Sequence, residues 1–109
     1  MSSGNVYDIF LERYPRVDLH GYDRDSSRMV TNDFIDENVT LGNETIVIIH
    51  GIGSGIVRNE VHETLKKNKN VIEYKTDNFN SGCTIVKLNV KKSWILMFYF
   101  GIIYIMLGG

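Results

Sequence analysis

The chain has 109 residues, 43% of them hydrophobic and 23% charged, which suits one globular domain with a modest core and leaves no room for two. Twelve Lys and Arg against 13 Asp and Glu give a net charge of −1, which excludes a protein whose whole surface attracts nucleic acid but not a local basic site. Cys83 is the single cysteine, so an internal disulfide is excluded; a cytoplasmic setting fits, and within CTIVKL the thiol reads as a small core residue.

The first 15 residues, MSSGNVYDIFLERYP, lack the apolar centre of a secretory signal. Val6, Ile9, Phe10 and Tyr14 are spaced for a short leading helix that Pro15, the only proline, would end. RVDLHG (16–21) predicts a short strand running into glycine. Asp23 or Asp25 can cap the helix that follows, with Met29, Val30, Phe34 and Ile35 as its apolar face and Gly42 as its stop. TIVII (45–49) is short, β-branched and uncharged, the pattern of a buried strand. The period then changes. Val57, Val61 and Leu65 fall at i, i+4 and i+8, which predicts a helix from about Ser54 to about Lys69, with His62 read as a surface residue without a partner. VIEYKT (71–76), a loop DNFNSG and CTIVKLNV (83–90) complete the pattern with two strands.

The order is therefore (α)βαβαββ. Strands separated by helices imply right-handed crossovers and a mainly parallel sheet, with the last strand free to run antiparallel. After Lys91 and Lys92, the segment SWILMFYFGIIYIMLGG (93–109) carries no charge. As a helix it would span about 25 Å, somewhat less than the roughly 30 Å hydrocarbon core of a bilayer. With two lysines on its N-terminal side it suits a tail anchor that would tether the domain to the cytoplasmic face of a membrane. It suits equally a buried strand or helix, a dimer contact, or an aberrant gene end. The expected organisation is a leader helix at 1–15, a domain at 16–90 and a hydrophobic tail at 91–109.

In sheets of this kind ligands gather beyond the carboxyl ends of strands, where both DLHG and HGIGSG lie. Asp18, His20 and His50 would meet there if their strands are neighbours, and a carboxylate can orient an imidazole that serves as a general base. Gly51, Gly53 and Gly55 would let backbone N–H groups approach a phosphate, aided by the positive end of the helix that starts near Ser54. Arg58 could fork onto two phosphate oxygens. Singly, each residue has a plainer reading as a capping, solvated or packing residue; the cluster suits a phosphodiester. Other motifs fail. GIGSG is one residue short of the dinucleotide fingerprint and has no acidic partner about 20 positions on, the P-loop pattern is absent, and no Cys/His set has zinc spacing.

VDLHG (17–21), HGIGSGIVR (50–58) and SGCTIVKL (81–88) together resemble the small MutS-related (Smr) domain, over roughly residues 15–90. The resemblance implies a two-layer βαβαββ sandwich with a mixed, mainly parallel four-stranded sheet, similar to the C-terminal domain of translation initiation factor three. It implies binding to DNA or RNA, often with endonuclease activity, in DNA repair, recombination suppression or ribosome rescue. Carried over residue by residue, the first motif supplies Asp18 and His20, and the second His50, Gly51, Gly53 and Arg58. Ile52 departs from the pattern, which often has lysine there, and the tail lies outside it. Two functions follow. In the first, an endonuclease uses Asp18 and His20 to position or activate the attacking group, with or without a divalent ion such as Mg or Mn, while His50 assists as acid or base. Gly51, Gly53, Ser54, Gly55 and Arg58 hold the phosphate. In the second, a non-catalytic module binds structured nucleic acid or the ribosome through the same face. A weaker third is a membrane-tethered interaction protein with an idle site. Lys66, Lys67 and Lys69 would add a basic rim. DNA or RNA, metal dependence and oligomeric state stay open.

Overall fold

A computed structural model describes residues 13–77 and 80–90. The leader helix and the hydrophobic tail expected from the sequence lie largely or wholly outside the described residues; among those residues no helix is long and apolar enough to cross a membrane.

The element order is β1 (Arg16–Asp18), α1 (Arg24–Leu41), β2 (Thr45–Ile49), α2 (Ile56–Lys67), β3 (Val71–Thr76) and β4 (Cys83–Leu88). The sheet order is β1-β2-β4-β3. β1 lies parallel to β2, with Asp18 opposite Ile49. β4 runs antiparallel to both of its neighbours, so β1, β2 and β3 share one direction and the last strand opposes them. Placing β4 in the interior joins strands that the chain makes far apart.

Both helices cover one face of this sheet. Ile46 and Ile48 of β2 and Val86 and Leu88 of β4 are fully or almost fully buried, and pack with Leu19, with Ile35 of α1 and with Val61 and Leu65 of α2. The alternation of strand residues is what sends these side chains to the same face. The period-3.6 face expected for α2 is therefore the one it buries. α1 differs from its sequence reading. Its buried stripe is Ser27, Thr31, Ile35 and Asn38, whereas Met29, expected on the apolar face, is exposed. Three polar residues can occupy that stripe because two of them bond locally: Ser27 Oγ donates to the Arg24 carbonyl and Asn38 Nδ2 to the Phe34 carbonyl.

Caps fix the helix ends that matter for the site. Asp23 Oδ1 accepts the Ser26 N–H at 2.7 Å and so starts α1. The Gly42 N–H reaches the Asn38 and Val39 carbonyls and stops it. α2 is shorter at both ends than the sequence implies. It begins at Ile56 after Gly55, and the Asn68 N–H closes on the Leu65 carbonyl.

Thr31 Oγ1 is buried and among the described residues has no hydrogen-bond partner. A buried, unpaired hydroxyl costs about 1–3 kcal/mol, and an apolar group of the same shape avoids that cost. Thr31→Val is therefore expected to raise the unfolding free energy by about 1 kcal/mol in urea titration, and a fall would show that the hydroxyl has a partner in solution.

Candidate functional site

β1 and β2 end side by side, with a bond from the Leu19 N–H to the Ile49 carbonyl at 2.6 Å. That bond passes the end of β1 by one residue and uses the last residue of β2, and beyond it the two segments diverge into turns at residues 19–22 and 50–55. Together with the first residues of α1 and α2, they line a cleft of about 980 Å³ formed by residue runs 20–25 and 49–58. His20, His50, Gly51, Gly53, Ser54, Gly55 and Arg58 all line it; Asp18 stands behind His20.

Asp18 Oδ1 accepts two bonds from His20, one from the ring Nδ1–H at 2.7 Å and one from the backbone N–H at 3.1 Å. The ring bond is the larger reason that the Asp18 carboxyl is held below its ordinary value, and the backbone bond adds to it. With Nδ1 engaged as the donor, the neutral imidazole carries its lone pair on Nε2. The His20 side chain is 74% exposed, so that lone pair is open to a reactant.

The opposite wall is the glycine turn. Gly51 has φ +84°, and a Cβ there would stand 3.2 Å from the His20 Cβ, so glycine is required for the two turns to touch. Gly55 has φ +88° and forms the N-cap of α2 with no side-chain hydrogen bond. Ser54 Oγ, expected at the helix start, stands 3.4 Å from the Ile56 N–H. No acidic residue occupies the first turn. The amide ends of α2 thus meet the cleft with no carboxylate in their own first turn, the arrangement that accepts an anion, while Asp23 and Asp25 of the facing helix start also line the cleft. Arg58 lies in that first turn, is exposed, and among the described residues has no ion-pair partner. Arg24 and Arg28, by contrast, stand 3.9 and 3.6 Å from the Glu60 carboxylate.

His50 lies at the expected strand end and lines the cleft. It is only 4% exposed, and both ring nitrogens are engaged: Nδ1 with the Gly51 carbonyl at 3.0 Å and Nε2 with Thr84 Oγ1 at 2.7 Å. His62, expected at the surface without a partner, is half-buried. Its Nε2 lies 2.9 Å from the same Thr84 hydroxyl, and its ring packs edge-on against His50 and tilted against Tyr74. The sequence signal was present but easily passed over. His62 follows Val61 of the buried stripe, so it stands at the margin of the helix face that meets the sheet. Lys67 and Lys69 line a separate groove between the two helices, and Lys66 pairs with Glu63 at 3.2 Å, so none of the three forms a rim on the cleft. Among the described residues no group of three or more His, Cys, Asp or Glu could hold a metal ion.

Burial is the main cause that lowers both the His50 and the His62 imidazoles below their ordinary 6.5, and Arg58 pushes each further. An imidazole lowered in the folded state takes up its proton first in the unfolded chain. Stability therefore falls as pH drops below about 6.5 and recovers as pH rises through that window. Thermal unfolding followed from pH 7.5 to pH 5.5 should show the midpoint decreasing; a midpoint that holds or rises would contradict the buried neutral pair.

The model of the Smr domain family matches residues 17–89. The chain is 36% identical over 75 residues to the endonuclease MutS2 of Clostridium acetobutylicum and 38% identical over 74 residues to that of Streptococcus suis, covering 66% and 65% of this chain. It spans about a tenth of the length of those relatives. Among solved structures, the Smr domain of Thermus thermophilus MutS2 superposes with TM-score 0.66 at 27% identity, over 68% of this chain and 96% of that one. YdaL, a stand-alone small MutS-related protein from Escherichia coli, superposes with TM-score 0.67 at 25% identity, over 84% of this chain and 78% of that one.

Proposed function

The chain belongs to the Smr domain family, and on that footing we propose that its cleft binds nucleic acid and cleaves a phosphodiester. One observation carries this reading: an Asp18–His20 pair with an exposed His20 ring faces a helix start that has no acidic residue in its first turn and bears Arg58, which among the described residues has no ion pair. The roles divide by geometry. The amides at the start of α2 and the Arg58 guanidinium seat the phosphate. His20 Nε2 takes the proton of the attacking hydroxyl, from water or from the 2′ position of RNA, while Asp18 fixes the ring tautomer and balances the imidazolium that forms. The attacking oxygen bonds to phosphorus, the bond to the leaving oxygen breaks, and that oxygen takes a proton from the imidazolium or from solvent. His50, buried with both nitrogens engaged, holds the turn in place instead of exchanging protons with the substrate.

A second reading, a non-catalytic module for structured nucleic acid or the ribosome, is favoured by Ile52. It stands 75% exposed on the cleft where a lysine would add a phosphate contact, with exposed Tyr22 and Ile56 also lining the cleft. Such a rim suits apolar or stacking contact better than charge.

The two readings separate in one assay, with the full chain on supercoiled plasmid and on a structured RNA, with and without chelator. An enzyme with His20→Ala should lose about 10²–10⁴-fold in cleavage rate, and Asp18→Ala should lose cleavage while binding persists. For a binder, Asp18→Ala leaves affinity unchanged or raises it by removing a negative charge. Arg58→Ala should weaken binding to both substrates and lower the salt slope by about one. Cleavage that survives both His20→Ala and Asp18→Ala would place the chemistry elsewhere.

A further inference from the structure

The pair of imidazoles beneath the glycine turn shares one hydroxyl, and that hydroxyl has one proton. Thr84 Oγ1 is fully buried and touches His50 Nε2 at 2.7 Å and His62 Nε2 at 2.9 Å. The third partner sets the direction. The Gly51 carbonyl can only accept, so His50 Nδ1 donates to it and His50 Nε2 bears the lone pair. Thr84 must then donate to His50 and accept from His62. One chain of bonds results, running from His62 Nε2–H to the Thr84 hydroxyl, from that hydroxyl to His50 Nε2, and from His50 Nδ1–H to the Gly51 carbonyl.

From this chain we infer that Thr84 and His62 are positioning residues that set the direction of the Gly51–Ile52 peptide. The inference rests on the cleft being the phosphate site. In a trans peptide the N–H points opposite to the carbonyl. A Gly51 carbonyl held inward on His50 therefore turns the Ile52 N–H outward, as a donor. If the chain broke, the peptide could flip and present a carbonyl oxygen in its place, which repels a phosphate. The chain also joins three elements, since His62 lies on α2, Thr84 on β4 and His50 at the end of β2. A proton added to His50 would reverse its Nε2 from acceptor to donor and leave Thr84 with two donors and no acceptor for its own hydrogen. The charged and titratable groups that face His50 are Arg58 and His62 from α2, and those that face His62 are His50, Arg58 and Lys66 from α2, and Tyr74 from β3. None of them is a carboxylate, and the cations among them disfavour a charged ring. Acid should therefore loosen the turn and weaken phosphate binding.

The test is heteronuclear NMR on the full chain with labelled histidine, joined to binding of a structured RNA and of plasmid DNA. In the wild type His50 should appear as the Nδ1–H tautomer and His62 as the Nε2–H tautomer. Thr84→Val keeps the shape and removes the hydroxyl. It should shift the amide resonances of residues 51–55, weaken nucleic-acid binding three- to tenfold at neutral pH and flatten its decline toward acid. Thr84→Ser should restore all three. Opposite tautomers in the wild type, or amide resonances of residues 51–55 unmoved by Thr84→Val, would overturn the inference. If Thr84→Val does not fold, the wild-type tautomers and Thr84→Ser decide. If the wild type binds neither nucleic acid, the phosphate reading of the cleft fails, and the tautomers and amide shifts still judge the positioning role on their own.

Discussion

The carbonyl of Gly82 accepts two hydrogen bonds, from the His50 N–H at 2.8 Å and the Gly51 N–H at 3.0 Å. This forked contact fixes where β2 stops and the glycine turn starts, because it extends the β2–β4 ladder one step past the Ile49–Cys83 pair. It needs a bare backbone on the β4 side. A Cβ at Gly82 would meet the Gly51 carbonyl carbon and Cα at 3.3 Å. Gly51 in turn presses on His20, so three turns from distant parts of the chain stack glycine on glycine on histidine. The reach of the Asp18–His20 pair toward the α2 amides is set by that stack. In turn, Asn80 holds the loop before β4 by accepting the Gly82 N–H with its side chain and the Cys83 N–H with its backbone carbonyl.

Much of this was legible from residue pattern. TIVII and CTIVKL could only be buried strands, and Val57, Val61 and Leu65 could only be one helical face, because a run of β-branched residues and a clean 3.6 period each leave few alternatives. The convergence of DLHG and HGIGSG followed from the rule about strand ends. The α1 stripe was not legible, since Ser27, Thr31 and Asn38 are polar by composition and buried only because local bonds to the helix backbone satisfy Ser27 and Asn38. Nor was the environment of His62. Its partner Thr84 is 22 residues away along the chain, on a strand whose place in the interior of the sheet depends on long-range pairing. Hydrophobic period locates a helix face but says nothing about which polar atom waits across it.

The cleft is charged unevenly, and the pattern has a structural cause. Glu60 lies one turn beyond the start of α2 and draws Arg24 and Arg28 of α1 toward it, tying the two helices at their starts. Such partly exposed pairs contribute little stability, roughly 0–1 kcal/mol each. Their larger effect is to occupy Arg24, which lines the cleft, and Arg28, which lines the separate groove between the helices. Among the described residues, Arg58 stands at the cleft without an ion pair beside the amides at the start of α2, and the field of such groups is of short range.

The sheet order carries a consequence for how the molecule comes into being. Among the described strands β3 borders only β4, which follows it in the chain, so it has no described partner until β4 is made. β1 and β2 can already pair, but the core under α2 lacks Val86 and Leu88 until the last strand inserts between two pieces made earlier. Insertion of a late strand into an interior slot is a non-local step whose loop-closure cost falls before its reward. The core is therefore complete only once β4 is in place, and the same event that closes it brings Gly82 and Thr84 beneath the glycine turn. A nascent or truncated chain without β4 would lack a complete site as well as a complete fold.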